Sequence, residues 1–156
     1  MTRIEKMLLT GCPVGWTLFM PRGVCVKFFN ETEMTWLNAR KFCHSQGADL
    51  WNPKTKEMND FVYDQMYHEF RDDTGYDHAW LGLNDREKEG EFRWSDGTLP
   101  TARDYKGWGR WQGGGYPLGD EPENDCGSLH GSVTGNTWSD VDCELADHFA
   151  CERPRF

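Results

Sequence analysis

The chain has 156 residues, six Cys, eight Trp and a formal net charge of −9. The length suits one domain with one sizeable core, and an aromatic content of 14% excludes a disordered acidic polymer. With 26 acidic against 17 basic side chains, a phosphate backbone is disfavoured, so nucleic acid is excluded as the leading partner. No apolar run approaches the roughly 20 residues that span a bilayer. The apolar stretch within residues 1–10 is too short for a signal peptide, so if the protein is secreted this is a mature or recombinant form.

Residues 1–11 read as an N-terminal extension, with Ile4, Met7 and Leu8 at helical spacing. They could pack on the domain or pair with another chain. Val24 to Phe29 is a short apolar run suited to a strand. Thr35 is the candidate cap of a helix with Trp36, Ala39 and Cys43 on one face, and Gly47 stands where that helix would stop. Thr55 is the candidate cap of a second helix, whose apolar stripe is Met58, Phe61, Val62 and Met66. Ala79–Leu83 and Gly90–Trp94 read as strands, with a turn at Ser95-Asp96-Gly97. From Thr98 to Asp125 the chain becomes rich in Gly and aromatics and loses periodicity, as a long functional loop does. Strand character returns around Ser128–Leu129, Thr137–Trp138 and His148–Cys151. The expected class is α+β.

The Cys residues at 12, 25, 43, 126, 143 and 151 include no Cys-x-x-Cys pair, which argues against zinc. Their even count reads as three disulfides made in an oxidising compartment, with the pairing open. Asn30-Glu31-Thr32 is a glycosylation sequon. The five His residues lie in unrelated contexts, and no nucleophile–base pattern surrounds any Ser or Cys, so the chain does not read as an enzyme.

Taken in order, Cys12-Pro-Val-Gly-Trp16, Cys25, Thr35-Trp36, Cys43, Gly47-Ala-Asp-Leu50, Trp80-Leu-Gly-Leu83, Trp94-Ser-Asp-Gly97, Asp125-Cys126, Trp138-Ser-Asp140, Cys143 and Phe149-Ala-Cys-Glu152 resemble the C-type lectin-like domain. The resemblance covers residues 12–152, so the reading is one such domain over 12–156 with its long loop at about 98–125. It implies the disulfides Cys43–Cys151 and Cys126–Cys143, with Cys12–Cys25 closing the hairpin of the family's long form. No thiol would then remain for an interchain link, and any oligomer would be held without one.

The resemblance also implies calcium. That ion needs roughly 6–8 oxygen ligands, hence several carboxylates or carbonyls at one point. Asp85 and Glu89 match two ligands of the family's auxiliary calcium site, and Asn124 and Asp125 match two more, with Asp120 or Glu121 completing it. In the family's principal site a proline is flanked by two side-chain oxygens. Here one register places Tyr116-Pro117-Leu118 there, where Tyr is a poor ligand and Leu has no side-chain oxygen. The other places Glu121-Pro122-Glu123, but only two residues then separate Glu123 from Cys126, far fewer than the family has. Downstream, Trp138-Ser139-Asp140 keeps the family's Asp and weakens its neighbour to Ser.

Trp108, Trp111 and Tyr116 lie among glycines that let large rings reach the surface, and the apolar face of a galactose-like sugar stacks on such rings. One of Trp108 and Trp111 is expected to be the family's loop-packing Trp. Two binding functions follow. One is a calcium-dependent lectin for glycans, with an altered proline motif. The other is a domain of the same fold that binds a protein receptor, with calcium structural or absent. A mineral- or ice-binding protein is disfavoured, because the acids cluster in one loop rather than forming an array.

Overall fold

The run Ala79-Trp80-Leu81-Gly82-Leu83 is apolar throughout because its strand is covered on both faces. In the computed structural model, which describes residues 2–70, 77–109, 125–132 and 135–156, this run forms the middle of a sheet. The elements are α1 (Arg3–Thr10), β1 (Thr17–Phe19), β2 (Val24–Met34), α2 (Trp36–Ser45), β3 (Asp49–Leu50), α3 (Lys56–Phe70), β4 (Asp77–Asn84), β5 (Cys126–Ser132), β6 (Gly135–Val141) and β7 (Asp147–Pro154). The sheet runs β1-β2-β7-β4-β5-β6, with β3 also on β7, and β4 lies parallel to β7 while the other pairs are antiparallel. The class is α+β, as expected.

Alternation along β4 sends its side chains to two separate cores. Ala79, Leu81 and Leu83 join Val26, Leu129 and Trp138 under α3, whose Met58, Val62 and Met66 are buried. Trp80 points the other way, into a core with Phe149 and Leu50 beneath α2, whose Trp36, Ala39 and Cys43 are buried. Each fully buried Leu, Met or Phe among these contributes roughly 1.5–3 kcal/mol.

Local signals set the helix ends. The Thr35 hydroxyl accepts the Asn38 amide at 3.3 Å, and the Thr55 hydroxyl accepts the Met58 amide at 3.3 Å. At the exit of α2, Gly47 takes φ +69°, where a side chain would be strained. The extension is itself helical: Thr2 and Glu5 form a reciprocal capping box, and α1 ends at Gly11. Ile4 and Leu8 on this helix are exposed, and Met7 is half-buried.

Two strand expectations are corrected. The strand starting at Val24 continues beyond Phe29 to Met34, because β7 pairs with it again at Met34 after a bulge. Gly90–Trp94 is not a strand; within it only Arg93 bridges, to Asn84, as the chain doubles back.

Gly82 marks a close approach. A Cβ there would lie 1.9 Å from Asn52 Oδ1 and 2.9 Å from Ser95 Oγ. Those two side chains are bonded to each other, Asn52 Nδ2 donating to Ser95 Oγ at 2.8 Å. The disulfides are Cys12–Cys25, Cys43–Cys151 and Cys126–Cys143. The second spans 108 residues of sequence and ties α2 to β7, a closure worth about 4–5 kcal/mol in the loop-entropy model.

Candidate metal and ligand site

Strand β4 ends where β5 begins, with Asn84 paired to Cys126. One residue beyond, the Asp85 amide donates to the Asp125 carbonyl at 2.9 Å. Two carboxylates far apart in sequence therefore leave the sheet side by side. The Cys126–Cys143 bridge holds the start of β5, and with it Asp125. On the other side, Asn84 and Arg93 exchange backbone hydrogen bonds of 2.9 and 2.8 Å, closing the turn between them. Gly90, at φ +83°, donates its amide to Asp85 Oδ2 at 2.8 Å. This turn carries Glu89 to the pair.

Oxygens of Asp85, Glu89 and Asp125 all lie within 4.8 Å of one another. Asp85 is 2% exposed, Asp125 is half-buried and Glu89 is exposed. Oδ1 of Asp85 and Oδ1 of Asp125 are both buried without a hydrogen-bond partner among the described residues. An orphaned buried acceptor costs about 1–3 kcal/mol, and more when charged. Burial, reinforced by Asp125 and Glu89, pushes the Asp85 carboxyl up to about 7, against the pull of the Gly90 amide.

The donor set fits a hard cation. All three ligands offer oxygen, and opposite oxygens at about 2.4 Å from calcium lie up to about 4.8 Å apart. A bound divalent charge would satisfy both orphaned atoms and offset the repulsion within the cluster.

The other expected site residues fall into three groups. Asp140 is half-buried on β6, paired with Gly127, two residues beyond Asp125. Ser139 is buried and stays out of the cluster: its hydroxyl is hydrogen-bonded to His130 Nε2. Trp108 is half-buried and packs edge-on against Phe92 and Trp138 at 5.3 and 5.6 Å. Trp111, Tyr116, Pro117, Asp120, Glu121, Glu123 and Asn124 lie outside the described residues, and so do both proline registers.

Trp108 also lines a cleft of about 720 Å³ with Leu99, Tyr105, Trp94 and Lys106. Gly90 and Glu91, next to Glu89, form part of its wall, so the cleft adjoins the carboxylate cluster. No periodic pattern in the sequence announces it. Trp138 also lines it; its indole N–H donates to Asn59 Oδ1 at 2.7 Å, and its ring lies against Gly107.

The expectation of unrelated His contexts is corrected for two of them. Pairing of β4 with β5 sets His78 opposite His130, with ring centroids 4.2 Å apart. Burial, then the neighbouring His78, hold His130 down to about 4. The signal lies in strand register, which single-sequence patterning does not supply.

Fold, disulfides and carboxylate cluster define a C-type lectin domain, and the chain belongs to that family: the family model, described as Lectin C-type domain, matches residues 32–153. Over 152 residues it is 30% identical to asialoglycoprotein receptor 2 of Rattus norvegicus, covering 92% of this chain and 42% of that protein. The chain thus spans less than half the length of that curated relative. Among solved structures it resembles the human scavenger receptor C-type lectin carbohydrate-recognition domain, at 31% identity and TM-score 0.70, covering 92% of this chain and 99% of that one. It also resembles the C-type lectin CEL-I from Cucumaria echinata, at 26% identity and TM-score 0.71, covering 90% and 96%.

Proposed function

We propose that this chain is an extracellular, calcium-dependent carbohydrate-binding module. The observation that carries the reading is the convergence of Asp85, Glu89 and Asp125 with two buried, unpartnered carboxylate oxygens. Calcium, when bound, supplies positive charge and further coordination positions for oxygen ligands. Asp85, Glu89 and Asp125 would hold it, with Asn124 and one of Asp120 and Glu121 contributing as the family resemblance implies. Asp140 is the remaining acidic candidate.

The sugar would meet the aromatic side of the site. Trp108, Tyr105 and Leu99 present apolar surface in the adjoining cleft. A ring with one apolar face and hydroxyls at its edge, as in galactose-like sugars, suits such a surface. A receptor for asialoglycoproteins among the relatives supports a glycan ligand. Three disulfides support an oxidising, extracellular setting.

A glycan array read with calcium and again with chelator tests this. Binding that chelator abolishes is expected, and an array silent in both conditions would overturn it.

One observation favours a second reading. The buried Ser139 hydroxyl is hydrogen-bonded to His130, and Tyr116 and Leu118 would stand in place of oxygen ligands in the first proline register. A protein-binding domain in which calcium is structural or absent follows from that. Its mark is a protein that binds no glycan, with a melting midpoint that calcium raises where the ion is structural and leaves unmoved where it is absent.

A further inference from the structure

We propose that Asn30 is the N-glycosylation acceptor of this domain, presented on an open bulge of β2. The inference rests on the extracellular reading, since the modification is made in the secretory lumen. Asn30-Glu31-Thr32 is the only Asn-x-Ser/Thr triplet in the chain, so any N-glycan of this type has one place to go.

The fold puts that triplet where an acceptor can be reached. β2 and β7 stay in register through Phe29 and Phe149, and pairing resumes only at Met34 and Asp147. Residues 30–33 of β2 therefore stand against His148 alone, and the surplus residues form a bulge. Glu31, Thr32 and Glu33 are exposed and Asn30 is half-buried. The Asn30 amide makes no side-chain hydrogen bond among the described residues, so modification would sacrifice none there.

The other side of β2 is open as well. β1 covers it only from Val24 to Val26, and no described strand pairs with its outer edge from Lys27 to Met34. Exposed edges of this kind invite pairing with other chains and are commonly blunted by charge or bulk. Glu31 and Glu33 supply charge, and a glycan on Asn30 supplies bulk.

The triplet is also away from the carboxylate cluster. Phe29 pairs with Phe149, which in turn pairs with Trp80. The cluster begins at Asp85, five residues further along the chain, or roughly 16 Å at about 3.3 Å per residue. A glycan at Asn30 is thus compatible with ligand binding at the long loop.

In the transfer, Asn30 Nδ2 bonds to the anomeric carbon of an oligosaccharide carried on a lipid pyrophosphate. The bond from that carbon to the pyrophosphate oxygen breaks, the lipid pyrophosphate leaves with the electron pair, and the amide gives up one proton.

The full chain, given a cleavable secretion signal, is translated with endoplasmic-reticulum microsomes and treated with peptide N-glycosidase. One glycan on the protease-protected chain is expected, with deamidation at Asn30 after enzyme treatment. N30Q and T32A should abolish it, and T32S should retain it. A translocated wild-type chain that carries no glycan overturns the proposal while leaving the extracellular reading intact. The added signal supplies the compartment, so that reading is judged separately, by whether the native protein carries oxidised Cys pairs.

Discussion

The backbone amide of Asp85 donates to the backbone carbonyl of Asp125 at 2.9 Å, and this contact joins the two ends of the segment from residue 86 to residue 124. It sets two carboxylates beside each other where β4 ends and β5 begins. The sheet pays a local electrostatic cost for that placement, and a cation would remove it. A metal-free domain therefore holds a preformed but repulsive cluster.

Calcium should raise the melting midpoint of the wild-type domain, because a ligand that binds only the folded state stabilises it. D85N should lose most of that increment. It keeps the side-chain shape and removes one charge, so the metal-free variant should melt at or above the metal-free wild type. A thermal melt with calcium and with chelator reads both effects. An equal calcium increment in D85N would show that the ion binds elsewhere.

The same group sets a pH dependence. Asp85 is pushed up to about 7 in the metal-free fold, against about 4 in an unfolded chain. Between those values the folded state holds the extra proton, so metal-free stability falls as pH rises through that window. Calcium needs the ionised form, so its affinity should weaken by up to about tenfold per pH unit below 7. Titration calorimetry at pH 7.5, 6.5 and 5.5 checks the trend; a flat profile would remove Asp85 from the ligand set.

His130 acts in the opposite sense. It is held down to about 4, against about 6.5 unfolded, so between these values the unfolded chain takes up the proton. The stability contributed by neutral His130 is present above about 6.5 and lost as pH falls towards 4. H130Q removes that titration while keeping a polar group near Ser139. Urea denaturation at pH 7.5 and pH 5 should show the variant gaining on wild type upon acidification. A constant difference would argue that burial does not hold the His130 imidazole below its ordinary value.

Gly82 should tolerate no side chain. A methyl group there would displace Asn52 Oδ1 and disturb the Asn52–Ser95 pair. G82A should cost about 3 kcal/mol, from overpacking and a strained buried hydrogen bond. Chemical denaturation measures it directly, and a loss below about 0.5 kcal/mol would mean that Asn52 can move aside at little cost.

Much of the fold was legible in the residues. Thr35 and Thr55 announced their helices because a hydroxyl that caps an amide acts within one turn. Trp80-Leu-Gly-Leu83 announced a central strand because burial on two faces leaves little polar alternation. The ordered Cys residues, read through the family resemblance, implied the three bridges that the fold contains. Gly90–Trp94 misled because it alternates like a strand, yet only Arg93 finds a partner. The extension of β2 to Met34 was hidden because Asn30 to Glu33 are polar, and a bulge suspends the alternation on which strand reading depends.

The sequence by itself determined what is local: helix caps, apolar stripes, the acidic residues available as ligands, and the one glycosylation triplet. It also determined the order of motifs that marks the family. Only the tertiary structure decided which of those acids meet. Asp85 and Glu89 reach Asp125 because β4 pairs with β5 in one register and the turn at Gly90 folds back on it. The same register faces His78 with His130 and occupies the Ser139 hydroxyl. Such contacts depend on hydrogen-bond pairing between strands far apart in the chain, where a shift of one residue would send every side chain to the opposite face.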